Sequence, residues 1–360
     1  MKREDIFKAI SDISPEFIEE MDEKIVKAKH TNKSFIILVC AVVGLAGISS
    51  AAAVKSLLGR GMNELQIDES QQQSLIETGA AITYTSESTS ETEATTNAVD
   101  YSNVNVFPVS VVADERCAFI SFKVTGFTFD DTINEPWFDQ IFVYEDESMQ
   151  KELDCDGGSF YNGINELADG SSVYEDGTPV KFDSRGMPIL RYYDSEGSLY
   201  CMYKVSGHSV DYNMLGKTIY VRLVNLGEMY KCEMLKSTGK EWTFTLEMPK
   251  ESSSVHKEIG KPIPDSPYTL DSIDISPISI RMNFSSKDGS SNASIPMFSG
   301  VKLKDGTLLG IGDDLHQSKD GKKAYSNCFF VRAIDPEKVK SIMICPDFDN
   351  NSGKTVDIEI

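Results

Sequence analysis

The sequence predicts a mainly β protein: short cytoplasmic helices, one transmembrane helix and two exported β-sandwich domains of the immunoglobulin-like kind. Three observations predict it. Residues 34–54, SFIILVCAVVGLAGISSAAAV, form a run of 21 amino acids without a charge. A helix rises ~1.5 Å per residue, so such a run reaches about 30 Å, the thickness of a bilayer hydrocarbon core. After residue 102, short apolar runs alternate with Gly, Asp and Asn bends, as packed antiparallel strands require. A polar stretch, 250–267, carries Pro262, Pro264 and Pro267 and divides those runs into two sets.

Residues 1–33 read as two short amphipathic helices. Ile6, Phe7 and Ile10 share one face of the first. Ser14 is a good N-cap for the second, Pro15 suits its first helical position, and Ile13 can staple to Ile18. Phe17, Ile18, Met21 and Ile25 then form one apolar stripe, with the acids facing away. Thirty-three residues cannot bury a core of their own. Helices that lie on membranes carry a basic polar face, whereas this one is acidic, so the stripe is expected to bind a cytoplasmic protein.

The uncharged run must be helical, because a lipid-facing backbone has to satisfy its own hydrogen bonds. Lys24, Lys27, Lys29 and Lys33 precede it, and only Lys55 and Arg60 follow closely. That bias places the N-terminus in the cytoplasm and the long C-terminal part outside. A cleaved signal peptide is the competing reading, with Ala51-Ala52-Ala53 as the cut site. Against it stand the length of the run and eight acids in the preceding 33 residues, where a short basic region belongs. Ala41, Gly44, Gly47 and Ala51 give a face on which two such helices can approach, a route to a homodimer.

Residues 55–102 read as a juxtamembrane helix and a stalk. Asp68-Glu69-Ser70-Gln71 resembles a capping box, and Gly79 ends the helix it opens. TYTSESTSETEATTN, 83–97, has almost no apolar residue and is expected to be flexible.

Residues 103–250 form the first expected β-domain. Val104, Val106 and Val109 begin one strand, and further strands are expected at 117–124, 140–144, 198–205, 218–224 and 241–247. The Gly-, Asp- and Ser-rich stretch 154–192 is expected to be a long, partly ordered excursion. Residues 251–360 form the second domain, with strands at 276–284, 297–304, 328–333, 340–345 and 355–360. Lys304-Asp305-Gly306-Thr307 is a hairpin turn, and Asp335-Pro336-Glu337 opens a single helical turn.

Composition narrows the function classes. The chain holds 35 basic and 56 acidic side chains, and residues 1–55 contain eight of each. The whole excess of −21 therefore lies beyond residue 55. Such a surface repels phosphate backbones, so nucleic-acid binding is set aside. Cys40 lies in the uncharged run; Cys117, Cys155, Cys201, Cys232, Cys328 and Cys345 lie beyond it without a C-x-x-C spacing. Four of the six sit in apolar strand-like runs, where thiols pack as small hydrophobes, so mostly free thiols are expected. His30, His208, His256 and His316 have no paired spacing, and no catalytic or phosphate-loop pattern is present. DFDNNSG, 347–353, has its glycine one place late for a calcium loop and reads as a turn. No enzyme activity, metal or cofactor is expected.

Several phrases occur together and in order: MLGKTIYVRLVNLG (214–227), GKEWTFTLEMP (239–249), ISPISI (275–280), VKLKDGT (301–307) and AIDPEKVKSIMI (333–344). With the MKREDIFKAI start and the apolar run, they resemble bacterial single-pass membrane proteins with an exported β-domain of unknown function, anti-sigma-factor-like. The resemblance implies a cytoplasmic segment that holds an extracytoplasmic-function sigma factor, wired to an exported sensor with an unknown extracellular ligand. This N-terminus departs from one such class, having no cysteine before Cys40 and so no His/Cys zinc motif. The rival reading is a cell-surface ligand-binding or structural protein without cytoplasmic signalling; a secreted hydrolase is a third.

Overall fold

Glu241–Glu247, EWTFTLE, illustrates how this chain makes strands. Side chains alternate across a strand, and Trp242, Phe244 and Leu246 all point into the core while their neighbours face out. The computed structural model describes residues 57–67, 69–84, 90–92, 101, 103–167, 171–207, 212–286, 294–320, 322–330, 332–346 and 355–360. The expected cytoplasmic helices with Ile6, Phe7, Ile10, Phe17, Ile18, Met21 and Ile25, the uncharged run 34–54 and the 347–353 turn lie outside those residues. Among the described residues no helix is long and apolar enough to cross a membrane.

The protein is mainly β. A first set of strands comprises β1 (Ala81–Thr83), β2 (Ser90–Thr92), β3 (Asn105–Ala113), β4 (Cys117–Thr125), β5 (Glu135–Tyr144) and β6 (Glu152–Phe160). It continues with β7 (Ile164–Glu166), β8 (Ser172–Tyr174), β9 (Leu199–Ser206), β10 (Thr218–Tyr230), β11 (Glu233–Ser237) and β12 (Glu241–Glu247). A second set comprises β13 (Val255–Pro262), β14 (Tyr268–Ile275), β15 (Ser279–Ser286) and β16 (Met297–Leu303). It ends with β17 (Leu308–Asp320), β18 (Lys323–Phe330), β19 (Val339–Cys345) and β20 (Val356–Glu359). One helix, α1 (Glu69–Glu77), and short 3-10 turns at Arg60–Leu65 and Pro336–Lys338 complete the described elements.

In each set a single long strand joins two layers. The first set runs β1-β3-β4-β9-β6-β5-β10-β12-β2, with β11 beside β10. Glu152 and Leu153 of β6 pair with β5, while Asp154–Phe160 pairs with β9 after a register shift between Cys155 and Gly158. A Cβ at Gly158 would lie 2.1 Å from the Tyr203 ring, so this crossing point requires glycine. The two layers face one core. Ile120 and Phe122 on one side meet Val221, Leu223 and Phe244 on the other, with the Phe122 and Phe244 rings 5.2 Å apart. The second set runs β13-β14-β15-β18-β17-β16-β19-β20. Here β17 makes the crossing, pairing at Leu308–Gly310 with β16 and beyond Ile311 with β18. Its core joins Ile273, Met282 and Phe284 to Phe298, Val301 and Ile344.

Several expected elements differ in extent. The 154–192 excursion contains most of β6 and all of β7 and β8, which are too polar and glycine-rich to announce themselves as strands. The 250–267 divider contains β13, an edge strand with most of its side chains at least partly exposed, which needs no apolar run. The 83–97 stretch, expected to be a stalk, contributes Thr83 to β1 and Ser90–Thr92 to β2, paired with Thr243–Glu241 of β12. Backbone pairing to a sheet edge makes no demand on side-chain polarity, which is why composition missed it. Asp335 does cap the Pro336–Lys338 turn, accepting from the Glu337 amide at 3.0 Å.

A third core seals the two sets together. Leu58, Met62, Leu65 and Ile67 pack with Phe119, Met202, Ile278, Phe329 and Ala333. The Phe119 and Phe329 rings meet edge-on at 5.1 Å. Leu58–Ile67, which follows the uncharged run, is therefore built into the seam between the sets.

Candidate functional site

The first strand set carries an open groove of about 590 Å³ with a mixed lining, formed by three stretches of chain. The loop Asp131–Glu135 forms one wall, Asp183–Leu190 the opposite wall, and Tyr230 at the end of β10 one end. Ile133, Met187, Ile189 and Tyr230 line it and are each more than a third exposed. Exposed apolar side chains are ordinary singly; gathered around one concavity they mark a contact surface.

Local hydrogen bonding fixes both walls. In the first, Asp130 accepts from the Thr132 amide and hydroxyl at 3.1 and 2.6 Å. Buried Asn134 then donates to Glu228 Oε2 at 2.6 Å, and Lys236 holds the other Glu228 oxygen at 2.8 Å. In the second, Asp183 accepts from the amides of Arg185 and Met187 at 2.8 and 2.9 Å, making an Asx-type turn that lifts Met187 outward. The Tyr174 hydroxyl accepts from the Lys181 amide at 3.0 Å and donates to the Ile189 carbonyl at 2.9 Å.

Charge in the groove is uneven. Asp183 pairs with Arg185 at 2.8 Å, and just outside Asp176 pairs with Arg191 at 3.0 Å. The side chains of Asp131 and Glu135 make no hydrogen bond or ion pair among the described residues. Below them the Tyr192 phenol is held in its neutral form first by burial, then by the repulsion that Glu135 and Asp131 add.

The second wall leads directly to the seam. Buried Arg60, on the 3-10 turn after the uncharged run, donates to the carbonyl oxygens of Arg191, at 2.7 Å, and of Tyr192. Its Nε donates to Glu175 at 2.7 Å, and its guanidinium lies 4.9 Å from the centre of the Tyr161 ring. Asn63 takes the second Glu175 oxygen at 3.1 Å. One residue thus clips the Leu58–Ile67 segment to the irregular stretch that continues the groove wall towards β9. Gly61 allows this approach, since a Cβ there would lie 2.4 Å from Ser121 Oγ and 2.9 Å from the Cys201 carbonyl oxygen.

On the same turn, half-buried Glu64 accepts from Ser159 Oγ at 2.8 Å. Burial pushes its carboxyl up to about 7, against the pull of the Ser159 hydrogen bond and the Lys204 ammonium. The folded state therefore holds this proton more tightly than the unfolded chain does. The stability linked to it is fully present below the unfolded value of 4.5 and is lost as pH rises through about 7. Glu64→Gln is expected to flatten that part of the dependence: thermal unfolding between about pH 5 and about pH 8 should shift less than in the wild type.

Across the seam, buried Asp114 is the main polar joint. At the β3–β4 turn it accepts from the Arg116 and Cys117 amides at 2.8 and 2.9 Å. Its other oxygen accepts from Ser276 Oγ at 2.5 Å and from Ser279 Oγ, both at the β14–β15 turn. Arg116 reaches Asp274 at 3.1 Å, and Glu115 accepts from Ser252 and Ser254, each at 2.6 Å.

No family model and no curated protein matches the sequence. Among solved structures, a conserved domain protein from Bacillus anthracis is a distant neighbour. It shares 12% identity at a TM-score of 0.36, over 71% of this chain and 76% of that one. A likeness that weak informs neither fold nor function.

The candidate partner-binding residues Ile6, Phe7, Ile10, Phe17, Ile18, Met21 and Ile25 lie outside the described residues. Among the described residues no disulfide joins the six cysteines from Cys117 to Cys345, and Cys117, Cys201 and Cys328 are buried. Among the described residues no group of three or more His, Cys, Asp or Glu is placed to hold a metal. The groove was not legible in sequence, because DDTIN and DSRGMPIL stand about 50 residues apart and neither resembles a motif. Arg60 read there only as a charge flanking the apolar run.

Proposed function

We propose that this chain is a single-pass membrane regulator of the anti-sigma-factor-like kind. Its N-terminal stripe of Phe17, Ile18, Met21 and Ile25 binds a cytoplasmic protein, most simply an extracytoplasmic-function sigma factor. Residues 34–54 anchor it, and the two strand sets, read as exported sandwiches of the immunoglobulin-like kind, sense or anchor outside. The observation that carries this reading is the Arg60 clip. A flexible tether would isolate an outer domain from its anchor, whereas a buried guanidinium six residues after the uncharged run ties that segment to the groove wall. A change at the groove therefore has a mechanical route towards the anchor.

Phe17→Asp tests the cytoplasmic half by placing a charge in the apolar stripe. It is expected to release the partner, raising transcription of the partner's target genes as deletion of this chain would. Unchanged transcription contradicts the regulator reading and favours a surface-displayed binding protein.

A further inference from the structure

We propose that the groove between Asp131–Glu135 and Asp183–Leu190 binds a short peptide bearing both basic and apolar side chains. Three features select that ligand. Ile133, Met187, Ile189 and Tyr230 offer exposed apolar surface around one concavity. Asp131 and Glu135 stand on its wall without a cation among the described residues, while neighbouring Asp183 and Asp176 already have theirs. The surrounding surface is strongly acidic, with the whole net charge of −21 lying beyond residue 55. Apolar contact supplies affinity; the two open carboxylates and the acidic field select and steer a cation. An anionic ligand meets repulsion at the same place, and a bare metal ion leaves the apolar lining without a purpose. The proposal names the ligand class of the exported side and so rests on the reading above.

The test uses the purified full chain in detergent and two labelled octapeptides. One alternates lysine with leucine and phenylalanine; the other replaces each lysine with glutamate. Fluorescence anisotropy reads binding beyond that of empty micelles. The lysine peptide is expected to bind and the glutamate peptide not. Asp131→Asn with Glu135→Gln should weaken the lysine peptide at least tenfold. The same number of charges removed from the second strand set, by Asp305→Asn with Glu337→Gln, should change it less than twofold. Met187→Ser with Ile189→Ser keeps every charge and should also weaken binding at least tenfold, which covers the case in which the carboxylate variant fails to fold. Equal losses in the groove and remote charge variants, or no loss in either groove variant, overturn the proposal. Tight binding of the glutamate peptide overturns it as well. Peptide binding by a chain that captures no sigma factor supports the groove and counts only against the regulator reading.

Discussion

Arg60→Ala is expected to lower the unfolding free energy by about 3 kcal/mol and to free the segment that follows the uncharged run. The side chain is only 8% exposed, and it donates to Glu175 and to the Arg191 and Tyr192 carbonyl oxygens at once. Truncation leaves the buried Tyr192 carbonyl and the part-buried Arg191 carbonyl without this donor, and each buried unpaired group costs about 1–3 kcal/mol. Glu175 is one-third exposed and can rehydrate, so its share lies near the lower end of that range. The loss of packing against Tyr161 adds a smaller amount. Arg60→Lys keeps the charge but not the planar fork, and should recover less than half of the loss. Chemical denaturation gives the free energy. Hydrogen exchange at 58–67 separates local release from global weakening: protection there should fall further than in β10 or β12.

Asp114→Ala should have a comparable or larger effect, about 3–4 kcal/mol, concentrated between the two strand sets. Its carboxylate is almost fully buried and accepts five hydrogen bonds: three from its own turn, where the Cys117 thiol joins the two amides, and two from the β14–β15 turn. Removing it orphans two amides and leaves two serine hydroxyls without their acceptor. Asp114→Asn should cost less, about 1–2 kcal/mol. Its amide oxygen still accepts from the Arg116 and Cys117 amides, and the Ser279 hydroxyl can rotate so that its oxygen accepts from the NH₂. Ser276 Oγ already accepts from the Ile278 and Ser279 amides, so its contact with residue 114 is the one that is lost. A single unfolding transition in the wild type that splits into two in Asp114→Ala would show that this turn joins the sets. An unsplit transition with under 1 kcal/mol of change would contradict the assignment.

Which features the sequence revealed follows from the physics of each. β12 was legible to the residue, because one face is fully buried and the other open, and strict alternation records that asymmetry. Helix α1 was legible from the capping-box pattern of the sequence at 68–71, and the Pro336–Lys338 turn from Asp335 before a proline. β6 was not, because a strand that switches layers carries DCDGGS at the crossing and breaks its own period. Nor was β13, since an edge strand can be polar on both faces. The groove and the clip escaped for a further reason. They join residues far apart in sequence, and neither a lone arginine nor a Gly-rich loop announces which carbonyl or cavity it will meet. The partner stripe is the reverse case: its periodicity is clear in sequence, and its residues lie outside the described structure.

In the proposed regulator, removal of the Arg60 clip at the groove wall changes partner binding by the N-terminal stripe. A photoreactive residue at Met21, in cells carrying the otherwise wild-type chain and in cells carrying Arg60→Ala, followed by mass spectrometry of the captured protein, tests it most directly. The expected result is capture of a sigma factor by the wild type and a clear change in its yield when Arg60 is removed, at equal amounts of membrane-bound chain. Capture of lipid or of the chain itself alone, or an identical sigma-factor yield from both, would contradict it.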